Sequence, residues 1–97
     1  MKLRFTPQAA QDLAAIADYI RERNPVAAQQ VRAAILHSLQ NLILFPQVGR
    51  AQTVKGVRQL ITRRYPYLVY YMVDEKSEEI IVLAIQHPAQ ERQHEDV

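Results

Sequence analysis

The chain contains no cysteine, which excludes disulfides and thiolate metal sites and fits a reducing compartment. It has only two glycines, Gly49 and Gly56, too few to build a phosphate loop or a dinucleotide fingerprint. No apolar run approaches the roughly 20 residues that cross a bilayer. The start, Met1-Lys2-Leu3-Arg4-Phe5, lacks the long apolar segment of a signal peptide. A cytoplasmic protein without membrane contact is therefore expected. The three histidines, His37, His87 and His94, form no His-x-x-x-His pair, so neither a metal site nor a cofactor is expected. Ser38 and Ser77 fall in helix and turn contexts, without the strained turn of a catalytic nucleophile.

One sign of charge is also missing over a long stretch. After Glu22 the next acid is Asp74, and between them lie Arg23, Arg32, Arg50, Lys55, Arg58, Arg63 and Arg64. A one-signed segment suits an anionic partner, either a nucleic acid or an acidic protein segment. A solvated basic face with no partner has the same composition.

What is present is one domain's worth of pattern over 97 residues, net charge +2. Lys2 to Thr6 alternates as a short strand with Leu3 and Phe5 inward. Thr6-Pro7 is a helix start, followed by Ala9, Leu13, Ile16 and Ile20 at helical spacing and by polar Gln8, Gln11, Asp12, Asp18 and Glu22 opposite. This helix ends near Arg23. Asn24-Pro25 caps a second helix with the stripe Ala28, Val31, Ile35, Leu39 and Leu42, widened by Leu36 and Ile43, which Phe45-Pro46 closes. The short link makes the two helices an antiparallel hairpin. Pro46 to Gly56 reads as a loop.

Val57 to Val73 is rich in β-branched and aromatic residues, broken once at Arg64-Tyr65-Pro66, and so predicts two strands. Parity places Leu68, Tyr70 and Met72 on one face and Tyr67, Val69, Tyr71 and Val73 on the other, so at least two tyrosines belong to the core. The same parity separates Arg63 from Arg64. After the polar turn 74–78, the run I-I-V-L-A-I predicts an interior strand covered on both faces, ending at His87-Pro88. Ala89 to Val97 is a polar tail, either a helical turn or disordered. The fold class is α+β, with order β-α-α-β-β-β: an antiparallel sheet packed against an N-terminal helical hairpin.

Two chemistries compete for the basic strands. Arginines there can present planar forks to phosphates. Cleavage of RNA would need cations for the developing phosphorane charge, for which Arg50, Arg58, Arg63 and Arg64 are candidates, and an acid or base, for which His87 is the candidate. His87 is equally well read as a strand-end residue bonded to backbone.

The order of elements resembles the RelE/ParE family of toxins from bacterial type II toxin–antitoxin modules, also called plasmid stabilisation proteins. So do L-x-x-F-P-x-x-G-R (Leu42, Phe45, Pro46, Gly49, Arg50), V-R-x-L (Val57, Arg58, Leu60), Y-x-x-x-Y-x-V (Tyr67, Tyr71, Val73) and I-x-H (Ile85, His87). The resemblance implies a growth-inhibiting toxin held by a cognate antitoxin in a hetero-oligomer, with operator DNA contacted only through the antitoxin. It implies antitoxin contacts at Leu13, Ile20, Tyr67 and Tyr71. It implies one of two targets, and a domain that binds its antitoxin but has lost toxicity is the third reading. RelE-like members cleave mRNA in the ribosome, which would make Arg58, Arg63 and His87 catalytic. ParE-like members inhibit DNA gyrase without catalysing a reaction, which would make Arg50, Arg58, Arg63 and Arg64 target-binding. The absence of tyrosine after Pro88 and the wording R-R-Y-P-Y-L-V-Y-Y favour the ParE side.

Overall fold

The alternating N-terminal residues form β1 (Lys2–Phe5). The computed structural model describes residues 1–88, and the expected tail over 89–97 lies outside the described residues. Thr6 then caps α1 (Pro7–Arg21): its backbone is extended and its hydroxyl accepts from the Ala9 N–H at 3.1 Å. The residues after Arg21 turn back, with the Arg23 and Asn24 amides both donating to the Ile20 carbonyl. Asn24 caps α2 (Pro25–Leu44) by accepting from the Ala27 N–H at 3.1 Å. Pro46 stops this helix where the sequence predicts.

Five strands form one sheet. After β1 come β2 (Arg50–Ala51), β3 (Val57–Ile61), β4 (Leu68–Asp74) and β5 (Glu79–Gln86), in spatial order β1-β5-β4-β3-β2. The last three strands are the expected antiparallel meander. Two features add to that expectation. β1 joins the edge in parallel with β5, Leu3 opposite Ile80 and Phe5 opposite Val82, because the helical hairpin carries the chain across the sheet before it returns. A two-residue β2 lies within the expected loop and pairs Arg50 with Gln59 and Ala51 with Arg58.

The core lies between the hairpin and one face of the sheet. Ile35, Leu39 and Leu42 of α2 and Ala9 of α1 meet Val69, Tyr71, Ile80 and Val82, and none of these keeps accessible surface. The expected helix stripes are confirmed, except that Ile43 is exposed. β5 is interior to the ladder, but the helices cover only one of its faces. Ile80, Val82 and Ile85 are buried while Ile81, Leu83 and Ala84 are half-buried. The expectation of burial on both faces is corrected accordingly.

A register shift explains why this strand lacks polar alternation. Tyr70 pairs with Ala84 and Tyr71 with Val82, so Leu83 is an extra residue. Its carbonyl accepts from the Thr6 hydroxyl at 3.0 Å, and the Ile85 N–H donates to Asp12 Oδ2 at 3.0 Å. Asp12 was expected on the solvent side of α1; instead it closes the bulge. Thr6 thus caps a helix and satisfies a bulge carbonyl together. Thr6→Ala is expected to lower unfolding free energy by about 1–2 kcal/mol, read from the urea midpoint. An unchanged midpoint would contradict this double role.

Candidate functional site

The segment joining α2 to β3 is held by three groups drawn from separate motifs. The Tyr71 hydroxyl donates to the Pro46 carbonyl at 2.9 Å and accepts from the Gly49 N–H at 2.8 Å. Arg58 Nη1 donates to the Gly49 carbonyl at 2.7 Å and to the Gln47 carbonyl at 3.2 Å. Gly49 is needed here for close approach. A Cβ on it would lie 2.6 Å from Tyr71 Cε1 and 2.9 Å from Cζ. Burial raises the Tyr71 pKa above 10.0, while the Gly49 N–H bond and the nearby Arg58 charge pull the other way. The F-P-x-x-G-R, V-R-x-L and Y-x-x-x-Y patterns therefore meet in one latch that fixes the loop 45–51.

The connection between β3 and β4 is held as firmly. The Thr62 hydroxyl donates to the Tyr65 carbonyl and accepts from the Tyr67 N–H at 2.9 Å. The Thr62 N–H donates to the Tyr67 carbonyl at 3.0 Å. Two longer contacts tie this turn to α2: the Arg63 N–H to Ser38 Oγ and the Tyr65 hydroxyl to Gln30 Oε1, each 3.4 Å. Arg64 sits at φ 71°, in the left-handed region, with its guanidinium 5.5 Å from the Tyr65 ring centre.

Between the two tethered loops runs an open groove of about 710 Å³. One wall is α2, with Ala33, Ala34 and His37. Phe45, Val48 and Ile61 supply apolar surface, and Arg63 and Arg64 also line it. A smaller cleft of about 440 Å³ lies on the α1 side. It is lined by Ile16, Tyr19, Ile20, Tyr67 and His87. There the Tyr67 and His87 rings meet edge to face at 5.6 Å, and burial raises the Tyr67 pKa.

These positions sort the residues named from the sequence. Arg63 and Arg64 share the α2 groove although they stand on a turn rather than a strand. Arg58 is spent on the latch, where backbone carbonyls take its Nη1, and Arg50 is exposed on the edge strand opposite Gln59. His87 lies in the α1 cleft with Ile20 and Tyr67. Of the residues expected to touch an antitoxin, Tyr71 and Leu13 are buried in this chain, Leu13 also lining a cleft between α1 and α2. Tyr71 has no accessible surface and its hydroxyl both donates and accepts within the latch, while Leu13 packs in the core cluster. The tyrosine parity is confirmed: Tyr71 is core, Tyr67 packs against it, and Tyr70 lies on the other face, accepting from Gln59 Nε2 at 3.0 Å. Sequence reasoning missed Phe45, Val48 and Ile61 as surface. The available signal was adjacency, since Ile61 precedes Thr62-Arg63-Arg64 and Phe45 stands at a helix end.

Among the described residues no cluster of His, Asp and Glu is arranged to hold a metal ion. Among those residues, too, no helix is long and apolar enough to cross a membrane.

Comparison with known proteins gives the same architecture a family. The family described as the ParE toxin of the type II toxin–antitoxin system, parDE, matches residues 3–92. Y4kP of Sinorhizobium fredii, a candidate toxin, is 30% identical over 90 residues, covering 93% of this chain and 91% of that protein. Toxin RelE2 of Caulobacter vibrioides is 33% identical over 85 residues, covering 88% and 92%. Among solved structures, the chromosomal ParDE toxin–antitoxin system from P. aeruginosa superimposes with a TM-score of 0.77 at 31% identity, covering 90% of this chain and 95% of that one. The family match takes in both helices, β2 to β5 and most of β1, so the latch motifs fall within it. The chain belongs to the ParE toxin family of type II toxin–antitoxin systems.

Proposed function

We propose that this toxin acts by binding and inhibiting DNA gyrase, without catalysing a reaction, and is neutralised by a cognate antitoxin. One observation carries the reading: the groups available for RNA cleavage stand apart. In-line attack of a 2′-hydroxyl needs a base, an acid and a cation within hydrogen-bond reach of one phosphate. Arg58 Nη1 is bound to loop carbonyls, Arg63 and Arg64 line the α2 groove, and His87 packs on Tyr67 in the α1 cleft. The family match and the likeness to the P. aeruginosa ParDE system support the same side. The P. aeruginosa system pairs a toxin with an antitoxin, which supports a protein partner here, with operator DNA reached through that partner. Either target lies in the cytoplasm, and plasmid stabilisation would follow from antitoxin loss.

A second reading keeps one specific support. The Caulobacter relative is named as a RelE toxin, and a ribosome-dependent endoribonuclease using Arg58, Arg63 and His87 would suit that name. The test is to free the chain from its antitoxin and add it to purified gyrase with relaxed plasmid. Supercoiling is expected to fall as toxin is titrated in. Undiminished supercoiling at large molar excess, together with mRNA cleavage in a translation extract that His87→Ala and Arg63→Ala each abolish, would replace gyrase with the ribosome.

A further inference from the structure

α2 lacks a charged face. Of its 20 residues only Arg32 is charged, and no Asp, Glu, Lys or Arg stands between Arg32 and Arg50. Its inner stripe, Val31, Ile35, Leu39 and Leu42, is used up in the core. The opposite side is exposed all the same. Ala33, His37, Asn41 and Leu44 recur there at the spacing of a helix-pairing seam, and Leu44 is 70% exposed. A surface helix normally carries charge toward solvent, and one without it is covered on both sides. Depletion of charge also marks the centre of a protein interface.

The same face is matched to itself. Its C-terminal half is bulky: Leu44, then Phe45 and Val48 just beyond the helix, 64% and 61% exposed. Its N-terminal half is small, because Ala33 and Ala34 end at Cβ. Both halves line the one groove on this side of α2. Two copies of α2 laid antiparallel about Asn41 set the bulky half of each on the small half of the other. Val48 then falls opposite Ala34, Phe45 opposite His37, and Asn41 opposite its own copy. A carboxamide both donates and accepts, so the Asn41 pair can close the two-fold axis with hydrogen bonds. A parallel arrangement would set bulk against bulk. The bulky end is also preformed, since Phe45 and Val48 belong to the segment latched by Tyr71 and Arg58. Little freedom is lost when they are covered. A helix of this length runs about 30 Å, and contact along most of it buries several hundred Å² per copy, the size of a weak dimer.

We propose that the chain, when free of antitoxin, pairs with a second copy of itself through this outer face of α2. A second copy suits the face better than a nucleic acid, because the seam offers no cation to a phosphate backbone. The nearest arginines belong to the turn that touches α2 at its flank, through the Arg63 N–H on Ser38 and the Tyr65 hydroxyl on Gln30. At the rim of the paired helices they stay in water, where charges interact weakly. Their mutual repulsion is screened by salt, whereas the apolar contact is not. The dimer therefore tightens as salt rises, the reverse of binding to a polyanion.

The test uses the full chain freed from its antitoxin, with mass followed against concentration by sedimentation. A monomer–dimer equilibrium in the micromolar range is expected, with a dissociation constant that falls between low and high salt. Leu44→Lys/Val48→Lys is expected to raise that constant about tenfold, because each added cation enters the seam near the other copy's Arg63. Lysine suits a helix C-terminus, and both side chains are exposed, so an unaltered thermal melt confirms the fold. Arg32→Glu changes a charge in the cleft shared with α1 and is expected to alter the constant less than about threefold. A second readout uses the absence of cysteine from the chain. Asn41→Cys is expected to cross-link into a disulfide dimer under mild oxidant, and Tyr19→Cys, 62% exposed on α1, is not. A chain that stays monomeric at all concentrations overturns the proposal. So does a dimer that dissociates as salt rises, or one that the double lysine variant leaves intact and Asn41→Cys fails to trap. Neither gyrase nor the ribosome enters these measurements, so their outcome is independent of the target.

Discussion

Gly49→Ala is expected to lower unfolding free energy by about 3 kcal/mol, a large part of what holds a domain of this size. The added methyl meets the edge of the Tyr71 ring, at 2.6 Å from Cε1 and 2.9 Å from Cζ. Neither atom is the end of a flexible chain. The ring has no accessible surface and packs in the same cluster as Val69, Ile80 and Val82. Relief therefore requires the whole ring or the whole loop to shift. Either movement breaks the two bonds of the Tyr71 hydroxyl and draws the Gly49 carbonyl from Arg58. Overpacking and unpaired buried groups then add. Gly56→Ala is the useful contrast. It stands at φ 85°, so alanine is strained there, but the Cβ meets only the mobile end of Met72 at 3.2 Å, on an exposed turn. About 1 kcal/mol is expected at that site. Urea denaturation of the two variants side by side separates the causes. Equal losses would mean that the latch adds nothing beyond backbone strain.

Most of the fold is legible in the sequence because its elements are locally self-consistent. Thr6-Pro7 and Asn24-Pro25 cap helices through bonds that need no distant partner. The stripe from Ala28 to Leu42 has one period and one face. The sheet's inner parity is equally local, and it places Tyr71 beside Val69. Four features were not legible, each for a physical reason. The parallel pairing of β1 with β5 joins strands separated by the entire hairpin. The bulge at Leu83 leaves no mark in an unbroken apolar run, and Asp12, which serves it, is indistinguishable from any surface acid on a helix. Arg58 counts as a surface cation in any charge tally, because a guanidinium bound to carbonyls and one facing solvent have the same letter. The α2 groove exists only once Phe45 and the segment Ile61 to Arg63, on either side of β2 and most of β3, are brought to one helix face.

Tyr71→Phe is expected to cost about 2 kcal/mol at neutral pH while making the protein less sensitive to alkali. The ring and its packing remain. What goes is a hydroxyl that serves both Pro46 and Gly49, and phenylalanine leaves the carbonyl and the amide unpaired where water has little access. Arg58→Ala frees the Gly49 and Gln47 carbonyls of the same loop. The two substitutions act on one segment, so the double variant is expected to lose about 1 kcal/mol less than the sum of the singles. Additive losses would mean that the loop is held at independent points. The pH effect has a definite sign. Burial raises the Tyr71 pKa above 10.0 in the folded chain, so the native state keeps a proton that the unfolded chain releases. This contribution is fully present below pH 10 and is lost as pH rises through the folded value. Tyr67, raised by burial as well, acts in the same direction. Denaturant midpoints measured from neutral pH to above pH 10 should therefore fall less steeply for Tyr71→Phe than for the unaltered chain, and least for the Tyr67→Phe/Tyr71→Phe pair. Parallel slopes for all three would place the alkaline sensitivity elsewhere. The latch would then hold by shape, with Gly49 rather than the hydroxyl as its essential member.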